Sequence, residues 1–303
     1  MNERIKQLTN LTLEGKMYVE PVKTKLEKEN SFISRIDYEV TSLCKYILNQ
    51  EPVVNQYSAF TGRFNFDGSV VGDAFKRGGH KYNQMALGKY YLKPINNVST
   101  MEWQHATADY KKVLEKGILG IIEEIEQSIE KYKNDIERIE FLNGLKRVAY
   151  TLIKWSEKCS ERVNQLAQGI ENEESRQRLK KLSSALLNVP KNKASNFYEA
   201  VLSIYICFSA DPDSIGTLDR YLSPYYFNDI EKGVITKEEA KEYLQELFLM
   251  LQASTHINSV HFTRGGESHF CIGGYLPNGN DGFNELSELI VQAMLELPTY
   301  NHS

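Results

Sequence analysis

His105 lies in a loop-type stretch, Trp103-Gln104-His105-Ala106-Thr107, directly ahead of a long helical pattern. An imidazole beside a helix start can point into a cavity and donate or accept a proton near neutral pH. The competing role is a hydrogen bond to a nearby backbone carbonyl. Asp211 and Asp213 follow an almost continuously apolar run and precede Gly216. A partly desolvated carboxylate at such a place binds a substrate hydroxyl or ammonium group more strongly than an exposed one. Helix capping is the other use: Asp213 or Ser214 could satisfy the first amides of a helix beginning near Thr217. Capping is the expectation for Asp213, and both roles stay open for Asp211.

His256, His261, Glu267 and His269 fall within fourteen residues. Their spacings do not place two imidazoles on one helical face as HExxH does, which argues against a metal site. A hydrolase built on this cluster would carry stoichiometric zinc or iron. Cys271 near His269 suggests a nucleophile, but their closeness on a short strand is expected to turn them to different sides, leaving a packed thiol. Gly265-Gly266 and Gly273-Gly274 lack a phosphate-loop context and read as turns.

The elements that must position these residues are mostly helical. From Lys111 to Asp135, Leu114, Ile118, Ile121, Ile125, Ile129 and Tyr132 recur every three or four positions, predicting one stripe of a long helix. Leu142, Leu145, Ala149, Leu152, Trp155 and Cys159 repeat the pattern, and helical periods continue from Leu166 to Leu187 until Pro190 ends them. Phe197 to Phe208 is apolar enough to predict a helix buried on most sides. Thr236-Lys237-Glu238-Glu239 has the order of a capping box, Gly233 suits the turn before it, and Ala240, Tyr243, Leu247 and Leu251 form the following core stripe. Phe270-Cys271-Ile272 predicts a strand, residues 277–282 a turn, and a helix follows through Met294. Residues 1–100 are read as irregular after an amphipathic start, with a short strand or ordered loop at Phe64 and Phe66. Residues 101–260 form a helical layer and 261–303 a strand, turn and helix.

The chain has 303 residues, 41% hydrophobic, enough to bury a substantial core. Its 40 acidic and 36 basic residues leave a net charge of −4, which gives no electrostatic reason for a nucleic-acid or anionic-membrane partner. No apolar run approaches the roughly 20 residues that cross a bilayer, and Met1 to Lys16 is too polar for a secretory signal, so a cytoplasmic protein is expected. Cys44, Cys159, Cys207 and Cys271 are scattered and read as free thiols.

The run Gly216-Thr217-Leu218-Asp219-Arg220-Tyr221-Leu222-Ser223-Pro224-Tyr225-Tyr226, then the capped helix from Thr236, then Gly273-Gly274-Tyr275-Leu276-Pro277-Asn278-Gly279-Asn280-Asp281-Gly282-Phe283-Asn284-Glu285-Leu286-Ser287, resembles glycyl radical enzymes. That family includes pyruvate formate-lyase and the glycerol and hydroxyproline dehydratases. The stretch from His105 to Gly117 and Phe197-Tyr198-Glu199-Ala200 occupy their places in the same order, and the joint order over about two hundred residues is the specific signal.

The resemblance implies a helix-rich α/β fold: the N-terminal part of a ten-stranded barrel with surrounding helices, the barrel incomplete. It implies that His105 lies in the substrate cavity, that Asp211 matches an acidic pocket position, and that His269 and Cys271 lie on a strand lining the same cavity. Relatives place a thiyl-forming cysteine on a loop beyond the position reached by Ser303, and a glycyl radical near their C terminus, installed by a radical SAM activating enzyme in anaerobic metabolism. No matching segment occurs here, so the expectation is a substrate-cavity wall with no catalytic residue and no bound cofactor of its own. The implied partners are a small-molecule substrate, a complementary C-terminal chain, the activase, or a second copy in a homodimer. The alternative is a non-catalytic scaffold or interaction protein derived from the family.

Overall fold

The computed structural model describes residues 1–20, 34–64, 107–209, 214–258 and 269–298. In chain order the elements are α1 Glu3–Leu13, α2 Arg35–Asn49, α3 Tyr110–Lys131, α4 Ile136–Gln168, α5 Glu173–Asn188, α6 Phe197–Phe208, β1 Ser214–Thr217, α7 Leu218–Glu231, α8 Lys237–Gln252, β2 His269–Cys271 and α9 Glu285–Leu295. Two helices thus stand in the first hundred residues, α1 capped by Asn2 and α2 by Ser34. Phe64 is buried in a loop, and Phe66 lies outside the described residues.

At the centre is α6, all twelve of whose residues are buried. It packs against α3, α7 and α8, so no face is left for water. Side chains satisfy its first amides: Asn196 accepts from Glu199 N, and buried Asp229 of α7 accepts from Phe197 N at 2.7 Å. The box at Thr236 forms as the sequence predicts, with Glu239 accepting from the Thr236 amide at 2.8 Å. From Leu244 to Gln252 every residue of α8 is buried, so the expected single stripe widens to a full surround, while Tyr243 is only half-buried.

Buried Glu246 of α8 accepts from the amides of Ala59 and Phe60, at 2.7 and 3.0 Å, and pairs with Arg4 of α1. Burial, the largest single influence, lowers the Arg4 pKa, but the charge and hydrogen bond of Glu246 together with the Glu242 charge outweigh it and raise the pKa. One carboxylate therefore joins three segments far apart in sequence.

The stripe expected along 111–135 is not continuous, because α3 breaks at Gly117, where φ is +68°. Before the break Tyr110 and Leu114 are buried; after it Ile118, Ile122 and Ile125 are, with Ile121 and Ile129 only partly covered. The ladder opens there to admit another strand of chain. Ile118 N donates to Pro190 O at 2.8 Å, Leu119 N to Lys191 O at 3.0 Å, and Ala194 N to Leu114 O at 3.0 Å. A Cβ on Gly117 would stand 2.3 Å from the backbone carbon of Asn192. In α4, Leu145 is exposed, and Gly144 takes the buried place because α2 approaches closely: a Cβ there would lie 2.9 Å from Val40 Cγ2. The helical periods from 166 to 187 belong to two helices, parted by Gly169 and restarted at the Asn172 cap.

Ser214 does not take the capping role open to it. Ser214 begins β1, its hydroxyl accepts from Gly216 N at 3.1 Å, and α7 starts at Leu218 with no side-chain cap. Asp213 lies outside the described residues. β1 pairs in parallel with β2, Ser214 with His269 and Thr217 with Cys271, with an irregularity between Ser214 and Gly216. Thr107 bridges Ser214 in parallel as well. Among the described residues no helix is long and apolar enough to cross a membrane.

Gly117→Ala is expected to lose about 2–4 kcal/mol in urea unfolding, from a side chain in the left-handed region and a clash with unyielding backbone. Gly169→Ala, where a Cβ would meet nothing closer than Leu166 O at 3.7 Å, should stay within about 0.5 kcal/mol of the parent. Equal losses at both sites would contradict the close crossing.

Candidate functional site

His105 and Asp211 lie outside the described residues. The first described residues after each of them do not stand apart, however. Thr107, two positions after His105, and Ser214, three after Asp211, are bridged to each other, and Ser214 is paired on to His269. Thr107 and Ser214, which follow two of the site candidates in sequence, thus share one parallel arrangement with the strand that carries His269 and Cys271.

On β2, His269 and Cys271 are exposed, and Phe270 between them is half-buried and stacked on Phe248 of α8, with centroids 5.4 Å apart and planes at 6°. This corrects two expectations. Side chains two apart on a strand share a face, so His269 and Cys271 both point away from the helices. The thiol of Cys271 is accordingly not packed. Cys159 and Cys207 are buried, and burial drives the Cys159 thiol well above its usual pKa and pushes Cys207 up to about 12, so neither supplies a thiolate near neutral pH. His256 accepts from Asn258 N at 3.2 Å and meets the Tyr18 ring edge-on; His261 and Glu267 lie outside the described residues.

A carboxylate to which residue spacing assigned no role holds β2 in place. Asp219, in the first turn of α7, is fully buried. Its Oδ2 accepts from Gly273 N at 2.6 Å and from Ser287 Oγ at 2.5 Å, and its Oδ1 from Arg220 N at 2.8 Å. Arg220 donates to Gly273 O at 3.0 Å and Tyr275 O at 2.6 Å. Gly273 and Gly274 have φ of +67° and +76°, and these successive left-handed residues turn the chain sharply away after the strand. Ser287 also takes part in the capping box of α9, accepting from Asn284 N at 3.0 Å, and Asn284 donates to Ser223 Oγ of α7 at 3.2 Å. The two motifs that carry the family resemblance are therefore one physical knot. A signal for it exists in the sequence: Asp219 falls on the helical stripe of Leu222 and Tyr226, and an acid on a buried stripe needs donors.

The model of the Pyruvate formate lyase-like family matches residues 79–302, a span containing the whole knot. The chain belongs to the Pyruvate formate lyase-like family. Among curated relatives, it is 29% identical over 223 residues to isethionate sulfite-lyase of Oleidesulfovibrio alaskensis, covering 67% of this chain and 26% of that protein. It is 23% identical over 204 residues to trans-4-hydroxy-L-proline dehydratase of Clostridioides difficile, 61% of this chain and 26% of that one. Among solved structures, the glycerol-bound B12-independent glycerol dehydratase from Clostridium butyricum superposes with a TM-score of 0.80 at 18% identity, over 98% of this chain and 46% of the other. A glycyl radical enzyme from Archaeoglobus fulgidus gives 0.78 at 18% identity, over 97% and 46%. Over the superposed part this member of the family shares their fold, and it spans about a quarter of the curated relatives' length and about half of the solved chains'.

Asp219→Ala should cost about 3–5 kcal/mol, since it strips a buried amide and a buried hydroxyl of a charged acceptor, whereas Ser287→Ala should cost about 1–2 kcal/mol. In the double variant the two losses should add to less than their sum. Strict additivity in urea unfolding would show that the bond between them carries no energy.

Proposed function

We propose that this chain is the N-terminal portion of a glycyl radical lyase or dehydratase that acts on a small polar organic substrate. It supplies the helical layer and the first strands of a barrel whose remaining strands and radical centre belong to further polypeptide, in the same chain or in a complementary one. The observation that carries the reading is the parallel pairing of Thr107, Ser214 and His269, which aligns the segments following His105 and Asp211 with the exposed face of β2. The membership of relatives such as isethionate sulfite-lyase and hydroxyproline dehydratase in the matching set supports lyase or dehydratase chemistry.

In the completed enzyme the radical, installed by a radical SAM activating enzyme, supplies hydrogen-atom abstraction from a substrate carbon. This chain's own groups do the polar work. His105 donates or takes a proton at a substrate heteroatom, Asp211 accepts a hydrogen bond from a substrate hydroxyl or ammonium, and His269 and Cys271 line the wall and fix the substrate's orientation. Alone, the chain is inactive. The cytoplasm and an anaerobic setting follow from that chemistry.

The test begins with the transcript beyond the codon for Ser303, where we expect a continuing or adjoining frame encoding a cysteine loop and a C-terminal glycine motif. The assembled protein, activated without oxygen, should show a glycyl radical by electron paramagnetic resonance and turn over a small hydroxylated substrate. His105→Ala should lower kcat by about a hundredfold or more at unchanged radical content, the usual size of a lost acid-base group. Full turnover in that variant would remove His105 from the site. Absence of any such frame, with a stable protein partner in its place, would favour the scaffold alternative.

A further inference from the structure

We infer that Asp219 and Arg220 are positioning residues for the β2 face, setting which side chains of that strand look out. The inference rests on the reading of His269 and Cys271 as substrate-facing, and extends it to two residues that touch no substrate.

β2 is three residues long, and among the described residues its ladder partner is β1 alone. So short a strand makes too few bonds to define its own register, and a slip of one residue exchanges its two faces. Here the exchange would swing His269 and Cys271 toward the helices and lift Phe270 off Phe248. The chain prevents this from one continuous stretch. Residues 214–217 pair with β2 along its length, and the next residues but one, Asp219 and Arg220, grip the backbone just beyond it. Asp219 takes the amide of Gly273, and Arg220 takes the carbonyls of Gly273 and Tyr275. Both backbone polar groups of Gly273 are thereby held, with opposite charges supplying the acceptor and the donor. Because ladder and clamp come from a single rigid strand-to-helix junction, β2 cannot slide against one without breaking the other. Asp219 is also tied to Ser287, so the junction is braced on α9. The two side chains differ in their surroundings. Asp219 is buried and its loss threatens folding, whereas Arg220 is exposed and can be changed with the core intact.

The experiment uses a trifluoromethyl label on Cys271, the one exposed cysteine of the four, in a Cys44→Ser background, with labelling at the single site confirmed by mass spectrometry. The parent should give one fluorine resonance. Arg220→Ala, with far-UV circular dichroism unchanged, should shift that resonance toward its position in urea or split it in two. Arg220→Lys, which keeps the charge and one donor nitrogen in place of the Nη2 that serves both carbonyls, should recover part of the parental line. Asp219→Asn, if it folds, should behave as Arg220→Ala does. A merely structural residue would lower the unfolding midpoint and leave the native resonance where it was. A parental resonance in folded Arg220→Ala overturns the inference. The reading beneath it fails separately: unaltered turnover of the assembled enzyme after Cys271→Ala and His269→Ala would show that β2 does not face substrate, whatever the label reports.

Discussion

A carboxylate with no access to water sets the geometry on which the rest of the site depends. Ionised and unpartnered, Asp219 would cost several kcal/mol to bury. Given two backbone amides and a hydroxyl it becomes the junction of α7, the end of β2 and the start of α9. Remove it and the parallel pair is left with a three-residue contact on one side, and the turn at Gly273 and Gly274 loses the anchor that fixes its direction. Position of the His269 and Cys271 face is in this sense a property of residue 219.

The same device recurs through the helical layer. Asp229 accepts from the first amide of α6, Glu246 from two amides of the 55–60 loop, and Glu199 from Ser195 N at 2.9 Å and Asn188 Nδ2 at 2.9 Å. Each is an acid on a helix whose acceptor atoms meet a neighbouring segment of the chain. Loops entering a close-packed interior bring amides that water cannot reach, and charged acceptors satisfy them more strongly than neutral ones. The apolar core supplies the driving force, while the acids decide which loop meets which helix.

Much of this is legible in the sequence where the signal is local. The unbroken apolar run of α6 and the Thr236 box are read directly, because burial on all sides and a reciprocal cap each leave a contiguous pattern. The break at Gly117 is not, since apolar residues recur on both sides of it and the reason for it, the Pro190–Ala194 crossing, lies more than seventy residues on. Ser214 resembles a cap because a four-residue strand has no period to display, and only its partners in space make it a strand. His269 and Cys271 stand on the short strand that the apolar run around Phe270 predicts, but the sequence reading turns them to different sides, and their shared outward face follows only once the strand is seen to run from 269 to 271. Asp219 is conspicuous within the motif, but its partners at 273 and 287 are remote in sequence, so its role emerges only from the fold.

Amide hydrogen exchange at Gly273 probes that junction most directly. With its N–H held by a buried carboxylate, this glycine should exchange only through the opening that also releases the α7 and α9 amides, with the same free energy and denaturant dependence. Exchange at the rate of the neighbouring exposed turn, at Gly279 for example, would contradict the buried clamp and with it the fixed face of β2.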